Sequence, residues 1–322
     1  MSGSEFAFEL SLCAHLEREC DGGIVARQLG GAVASPGGRI LDIVRTEPGS
    51  EFEKRAAITP EEIPDAAIAA GVGTGRARPL SVIAPVDETY AREAIERAIE
   101  IGFFERERRG GREYVRQTAR YPDWFGPITA IENKPDLASP GDLERQLRFD
   151  VSLGLVDRVI LATASYVTRA HLNRVPEAVG VWRFDGHGIE VIREPSALDA
   201  DGWGVELRER GAMRTAVSMV SPAEKARKRR RIAERAYGRG WRVGPPACER
   251  GALGEVAGAS VPYCRYYDRI VDPGGCGPSC PGYEAGEAPE TDLVDERDRR
   301  TPWVADPAGV KRRQAGLDRF SS

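Results

Sequence analysis

Residues 128–134 read ITAIENK, and the rest of the chain is best interpreted outward from them. Side chains of a strand alternate between its two faces. Ile128, Ala130, Glu132 and Lys134 therefore share one face, and Thr129, Ile131 and Asn133 share the other. Two apolar residues anchor the strand, while a carboxylate and an ammonium emerge side by side at its end. The lysine stands out against its background, because only five of the 46 basic residues are Lys (54, 134, 225, 228 and 311).

Helical and strand patterns flank this stretch. Residues 5–20, with Phe6, Phe8, Leu10, Leu12, Cys13 and Leu16, read as an amphipathic helix. The turn Ser35-Pro36-Gly37-Gly38 leads into a strand at 39–44 (RILDIV). Downstream, residues 140–155 read as a helix with Leu143, Leu147, Val151 and Leu155 on one face. Residues 159–163 follow as a buried strand, and 179–194 as a hairpin turning at Asp185-Gly186-His187-Gly188. Residues 51–120 differ in character. Thr59-Pro60-Glu61-Glu62 has the form of a helix start. Asp87 is placed to cap a helix through Ile101 that Gly102 ends, and an Arg-rich hairpin then turns at Gly110-Gly111. Helices followed by such a hairpin resemble a winged helix, although a small helical insertion with a solvated hairpin fits the same pattern.

Glu132 at a strand end can bind a hard divalent cation through oxygen, with the Asn133 backbone carbonyl as a further donor. Lys134 beside it can orient or help deprotonate a metal-bound water and steady the charge on a phosphate. Asp42, an acid among apolar neighbours in RILDIV, is costly to bury without a metal or a partner and is the natural second carboxylate. The bland alternative is a surface Glu–Lys pair plus a buried Asp meeting an Arg.

The succession helix, strand with Asp, strand with E-x-K, helix, apolar strand resembles the PD-(D/E)XK (restriction-endonuclease-like) nuclease superfamily over residues 1–50 and 126–200. The resemblance implies an α/β fold, a mixed sheet flanked by helices, interrupted by the winged-helix-like segment 51–120. It also implies Mg²⁺- or Mn²⁺-dependent hydrolysis of DNA phosphodiesters in repair, recombination or restriction. Asp42 and Glu132 would bind the metal and Lys134 would support the attacking water. Glu9 matches a helix-borne acid that often joins the metal site, and Gln146 sits where many relatives place a helical Gln. Leu41 stands where the strict pattern has Pro. A non-catalytic nucleic-acid-binding or regulatory protein that retains the fold is the alternative. The whole chain also resembles a group of haloarchaeal proteins, a resemblance that supplies no biochemical function.

The net charge of −4 does not by itself announce a nucleic-acid binder. Basic residues nevertheless cluster in a helix at 221–242 (Lys225, Arg227, Lys228, Arg229, Arg230, Arg231) and in the hairpin (Arg106, Arg108, Arg109, Arg112). Either cluster could follow a phosphate backbone, and either could be a solvated face, the hairpin more so because Glu105, Glu107 and Glu113 interleave. Cys248, Cys264, Cys276 and Cys280 are confined to a Gly/Pro-rich stretch and number what tetrahedral Zn²⁺ needs. An iron–sulfur cluster and four plain thiols are the rivals. The segment 284–322 reads as a disordered tail. Within it Gln314, Leu317 and Phe320 match the Q-x-x-L-x-x-F pattern of peptides that bind the sliding clamp. No apolar run reaches the ~20 residues of a membrane span, and a soluble, cytoplasmic protein is expected.

Overall fold

The computed structural model describes residues 2–19, 22–83, 89–139, 141–210 and 215–309. Helix α1 (Ser2–Glu19) leads into an antiparallel pair, β1 (Ile24–Gly30) and β2 (Ile40–Pro48). The insertion follows as α2 (Phe52–Ala56), α3 (Asp65–Ala69), β3 (Arg78–Pro79), α4 (Leu80–Ile83), α5 (Thr89–Glu100), β4 (Phe104–Arg109) and β5 (Arg112–Gln117). The chain then returns to the main sheet with β6 (Phe125–Asn133), α6 (Leu143–Leu153), β7 (Arg158–Thr163), α7 (Arg169–Leu172), β8 (Gly180–Phe184) and β9 (Ile189–Arg193). These six strands form one sheet in the order β1-β2-β6-β7-β8-β9. The β6–β7 and β7–β8 pairs are parallel and the others antiparallel, so the sheet is mixed.

A separate hairpin, β10 (Gly204–Arg210) and β11 (Thr215–Val220), precedes the long helix α8 (Pro222–Arg239). The cysteine-bearing module β12 (Gly251–Val256), β13 (Ala259–Cys264) and β14 (Arg269–Ile270) comes next, and α9 (Leu293–Arg300) ends the described fold. No described helix is long and apolar enough to cross a membrane.

Local sequence explains where the principal elements start and stop. Ser221 and Glu224 close a capping box around Pro222 at the start of α8. Gly154, at φ +55°, ends α6 in the left-handed conformation. Leu143 and Leu147 on α6, and Ile232 and Ala233 on α8, pack with Ala26, Val44, Ile128, Ala130 and Val159 into the core on one face of the sheet. Leu10, Cys13 and Leu16 of α1 pack with Val25, Ile43, Ile131 and Ile160 on the other face, producing helix–sheet–helix layering. A third core lies within the insertion around Phe103, Phe104 and Val115.

Three expectations change. Helix α1 is not amphipathic in place: Leu10, Leu12, Cys13, Ala14 and Leu16 are all buried, because Trp241 and Val261 cover the side that faces away from the sheet. Thr59-Pro60-Glu61-Glu62 starts no helix. The buried Arg55 guanidinium takes the Thr59 and Glu61 carbonyls, and Glu234 takes the Ile63 N–H, leaving the next helix to begin at Asp65. The segment 284–300 is not wholly disordered, because its charges have internal partners. In α9, Glu296 accepts from Arg242 and from the Ser260 amide, while Arg297 donates to the Ala236 and Tyr237 carbonyls at the end of α8 and stacks on Trp303. The expected cap Asp87 and the clamp-binding peptide (Gln314, Leu317, Phe320) lie outside the described residues.

A fully buried ion pair rivets the insertion to the main body. Arg55 and Glu234 meet through two hydrogen bonds, Nε–Oε1 at 2.8 Å and Nη2–Oε2 at 2.6 Å, with both side chains essentially inaccessible. Tyr121 and Trp124 also donate to Glu234 Oε1, and the Arg55 guanidinium lies 4.2 Å from the Tyr237 ring centroid. Removing one member of such a pair leaves an uncompensated buried charge. Glu234→Leu is expected to destabilise the fold by about 3–5 kcal/mol in urea denaturation. Adding Arg55→Met should restore part of that loss, whereas strictly additive losses would show that the two groups do not act as a pair.

Candidate active site

Strand β2 breaks its own alternation at Asp42. Leu41 and Ile43, two positions apart, enter opposite cores, and the neighbouring strand makes the matching break at Gln28, a non-glycine residue at φ +56°. The break leaves Asp42 partly buried at the join between the two faces. Antiparallel pairing of Ile43 with Ile131 makes Asp42 and Glu132 the next residues along their strands. The Asn133 backbone N–H donates to Asp42 Oδ2 at 3.0 Å, tying the two strand ends together across 91 positions.

From the α1 side, the buried Glu9 accepts hydrogen bonds from Arg27 (2.7 Å), Gln28 and the Asn133 side-chain amide (3.1 Å). Asn133 Oδ1 is buried without a hydrogen-bond partner. On the α6 side, Arg39 is buried between two acids. Its Nη2 lies 2.6 Å from both Glu132 Oε2 and Asp150 Oδ2, and its Nε donates to Asp150 Oδ1. Lys134 sits at the rim, about a quarter exposed, with Nζ 3.6 Å from Glu5 Oε1. Asp42, Glu132, Lys134 and Glu9 are thus gathered at one end of the β2–β6 pair. Gln146 lines, with Arg39, Arg145, Arg148 and Arg208, a cleft of about 1640 Å³ between α6 and the β10–β11 hairpin.

The electrostatics are those of a site with too few cations. Burial pushes the Asp42 carboxyl up to about 6; Glu9 adds to the rise, while the Asn133 hydrogen bond and Arg39 oppose it. Burial, and then the Asp42 charge, push Glu132 up to about 7 against the pull of Arg39. Asp150 is also raised by burial and held back by Arg39. Arg39, Asp150, Arg27 and Gln28 were not singled out from the sequence. A signal existed for Asp150, which lies three residues beyond Leu147 on the apolar face of α6, where an acid must have a partner.

The other candidate residues fall elsewhere. Most of the α8 cations are engaged within the fold: Lys225 with the Asp199 carbonyl, Arg227 and Arg230 with Asp65, and Arg229 with Asp157 and the Leu155 carbonyl. Lys228 and Arg231 lie on the same helix, partly buried. In the hairpin, Arg106 pairs with Glu96 and Glu113, Arg108 with Glu113 and Arg109 with Glu107, while Arg112 is exposed at the turn. Cys248, Cys264, Cys276 and Cys280 are free thiols lining a single cavity far along the chain from the carboxylates. Among the described residues, no group of three or more His, Cys, Asp or Glu is closed tightly enough to hold a metal ion as it stands.

A carboxyl whose pKa is raised by folding stabilises the fold below its unfolded value and loses that stabilisation as pH rises through the folded value. For Asp42 and Glu132 the window runs from about 4 to about 7. In chelator, stability should fall across this range. Asp42→Asn should flatten part of the fall and be more stable than the parent by about 1–2 kcal/mol at pH 8, with little difference at pH 4. Parallel denaturation curves at the two pH values would contradict the electrostatic account.

Neither a curated protein nor a solved structure matches the chain. A family model does, over residues 24–285: the family of unknown function DUF5787. The matched span holds Asp42, Glu132, Lys134, Gln146, Arg39, Asp150 and the four C-terminal cysteines, and it leaves out Glu5 and Glu9. The chain belongs to the DUF5787 family.

Proposed function

We propose that this chain is a metal-dependent nuclease of the PD-(D/E)XK type, acting on DNA, with Asp42, Glu132 and Lys134 as its working set. The observation that carries the reading is the gathering of Glu9, Asp42 and Glu132 at one end of the β2–β6 pair, with Lys134 at its rim. The order of elements supports it: an antiparallel β1-β2-β6 unit, then α6, then a parallel β7. Two carboxyls held near 6 and 7, beside an unpartnered amide oxygen on Asn133, suit a hard divalent cation, whose charge would favour their ionised forms.

Asp42 and Glu132, with the Asn133 backbone carbonyl, would hold Mg²⁺ or Mn²⁺, which supplies Lewis acidity and a more acidic bound water when present. Lys134, at the solvent-facing rim, would orient the attacking water and offset charge on the scissile phosphate. Glu9 fixes the Asn133 side chain, and with it the neighbourhood of Asp42. Arg39 holds Glu132 in one orientation from the side opposite Glu9. The cleft containing Arg145, Gln146 and Arg208 opens beside Arg39, and its cations would take the backbone of the substrate. The insertion 51–120, with its wing-like hairpin, would add a second contact with DNA.

One observation favours the alternative, a nucleic-acid-binding protein that retains the fold without catalysis: Arg39 already compensates part of the Glu132 charge. A cleavage assay separates the two readings. With Mg²⁺ or Mn²⁺, over single-stranded, duplex, forked and junction DNA, the parent should cut at least one substrate. Glu132→Ala and Lys134→Ala should each lower the rate by about 10²-fold or more. Cleavage undiminished in both variants removes the assignment, and binding without cleavage by the parent establishes the alternative.

A further inference from the structure

The cysteine module poses a packing problem independent of the carboxylate site. Between residues 265 and 292 the only buried side chain is Val271, and the remainder are partly or fully exposed. The stretch nevertheless holds a defined path. It runs through the short strand β14 and a 3₁₀ turn at Pro273–Gly275, then the Cys280–Gly277 and Tyr283–Cys280 backbone hydrogen bonds, and finally a bridge between Cys248 and Ala285. A chain segment that buries so little apolar surface cannot offset its ordering entropy by packing alone. Small modules of this kind draw their missing stability from disulfides or a structural metal.

The four thiols are free, so disulfides do not supply it here. They come from three places: the turn before β12 (Cys248), the end of β13 (Cys264) and the loop carrying Cys276 and Cys280. All four line one cavity of about 330 Å³. The Cys248 sulfur accepts the Arg250 backbone N–H at 3.4 Å, the kind of donor that stabilises a thiolate. Arg269 also lines the cavity, providing a cation against the excess negative charge of four thiolates around a divalent ion. In the structure Cys276 points to the Asp272 carbonyl and Cys280 to the Tyr267 hydroxyl, contacts of 3.9 and 3.6 Å that can be exchanged for a metal bond.

We propose that Cys248, Cys264, Cys276 and Cys280 form a structural Zn²⁺ site, the ion drawing the four sulfurs inward and serving as the core that residues 265–292 lack. Four thiolates are a closed tetrahedral set with no position left for water, so the site is structural and not catalytic. Each thiol releases its proton on binding and no electron is transferred, so no oxidant is needed.

The test is elemental analysis of the full-length chain purified without chelator. About one zinc per chain is expected. A Cys276→Ser/Cys280→Ser double variant should lose it, whereas Cys13→Ser, at a buried thiol of α1 outside the cavity, should keep it. Should the double variant fold poorly, cobalt substitution of the parent serves instead: thiolate-to-cobalt charge-transfer bands should appear and be bleached by added zinc. Hydrogen exchange should rise across 248–285 on chelation, while β6 and β7 stay protected. A protein without metal, zinc retained by the double variant, or a brown protein containing iron and acid-labile sulfide would each overturn the proposal. None of these readouts depends on nuclease activity.

Discussion

Everything at the carboxylate site depends on the register of β2 against β6. The Ile43–Ile131 pair is flanked by Val44–Ala130 and Arg45–Thr129, so Asp42 and Glu132 follow from it with no further freedom. A shift of one residue would turn Glu132 away from Arg39 and send Ile131 to the wrong core. The strands are separated in sequence by the whole insertion, so turn geometry cannot set the register. It is set by two-sided burial, with Val44 and Ala130 facing α6 and α8 and Ile43 and Ile131 facing α1. The Arg55–Glu234 pair then fixes the insertion at its root, where α2, the approach to β6 and α8 meet.

The ionic clusters of this protein differ in a way that bears on function. Glu234 has Arg55, and Glu17 and Glu296 share Arg242 and Arg300. Asp65 has both Arg227 and Arg230. In each of these the cations equal or exceed the anions, as structural clusters must if burial is to be tolerated. At the end of β2 and β6, Glu9, Asp42, Glu132 and Asp150 are served by Arg27 and Arg39, with Lys134 reaching only the rim. Burial raises the carboxyls of Asp42, Glu132 and Asp150 against the pull of Arg39. A cation bound among these carboxylates would relieve the imbalance.

The sequence made some of this legible and hid the rest for identifiable reasons. The pairing of Glu132 with Lys134 is a property of one strand, and strand alternation is local. The isolated acid in RILDIV was conspicuous because its neighbours are apolar. Arg39 was invisible because an Arg at the start of a strand is ordinarily a surface residue, and only the arrival of Asp150 from α6 gives it a buried role. The breaks of alternation at Gln28 and Asp42 are cooperative between two strands, so neither pattern reveals them alone. Helix α8 misled in the opposite sense: a charge run suggested an exposed face, yet Lys225 is fully buried and much of the surrounding charge is used to dock the insertion and the Asp157 loop. Helix α9 was hidden because its partners, Arg242, Ser260 and the last turn of α8, are distant in sequence.

The two candidate centres, far apart along the chain, share one element. Helix α1 carries Glu5 and Glu9 toward the carboxylate site on one side, and its other side is closed by the region joining α8 to the cysteine module. Trp241 Nε1 donates to Glu17 at 2.9 Å, Arg242 clamps the same carboxylate, and Val261 of β13 enters the α1 core. From Glu9 to Glu17 every residue of this helix but Ser11 is buried, so both covers contribute to its packing. Val261 and Ala259 of the cysteine module share a core with the helix whose Glu9 accepts from Asn133. The cysteine module thus packs against the same helix that brings Glu9 to the strand ends.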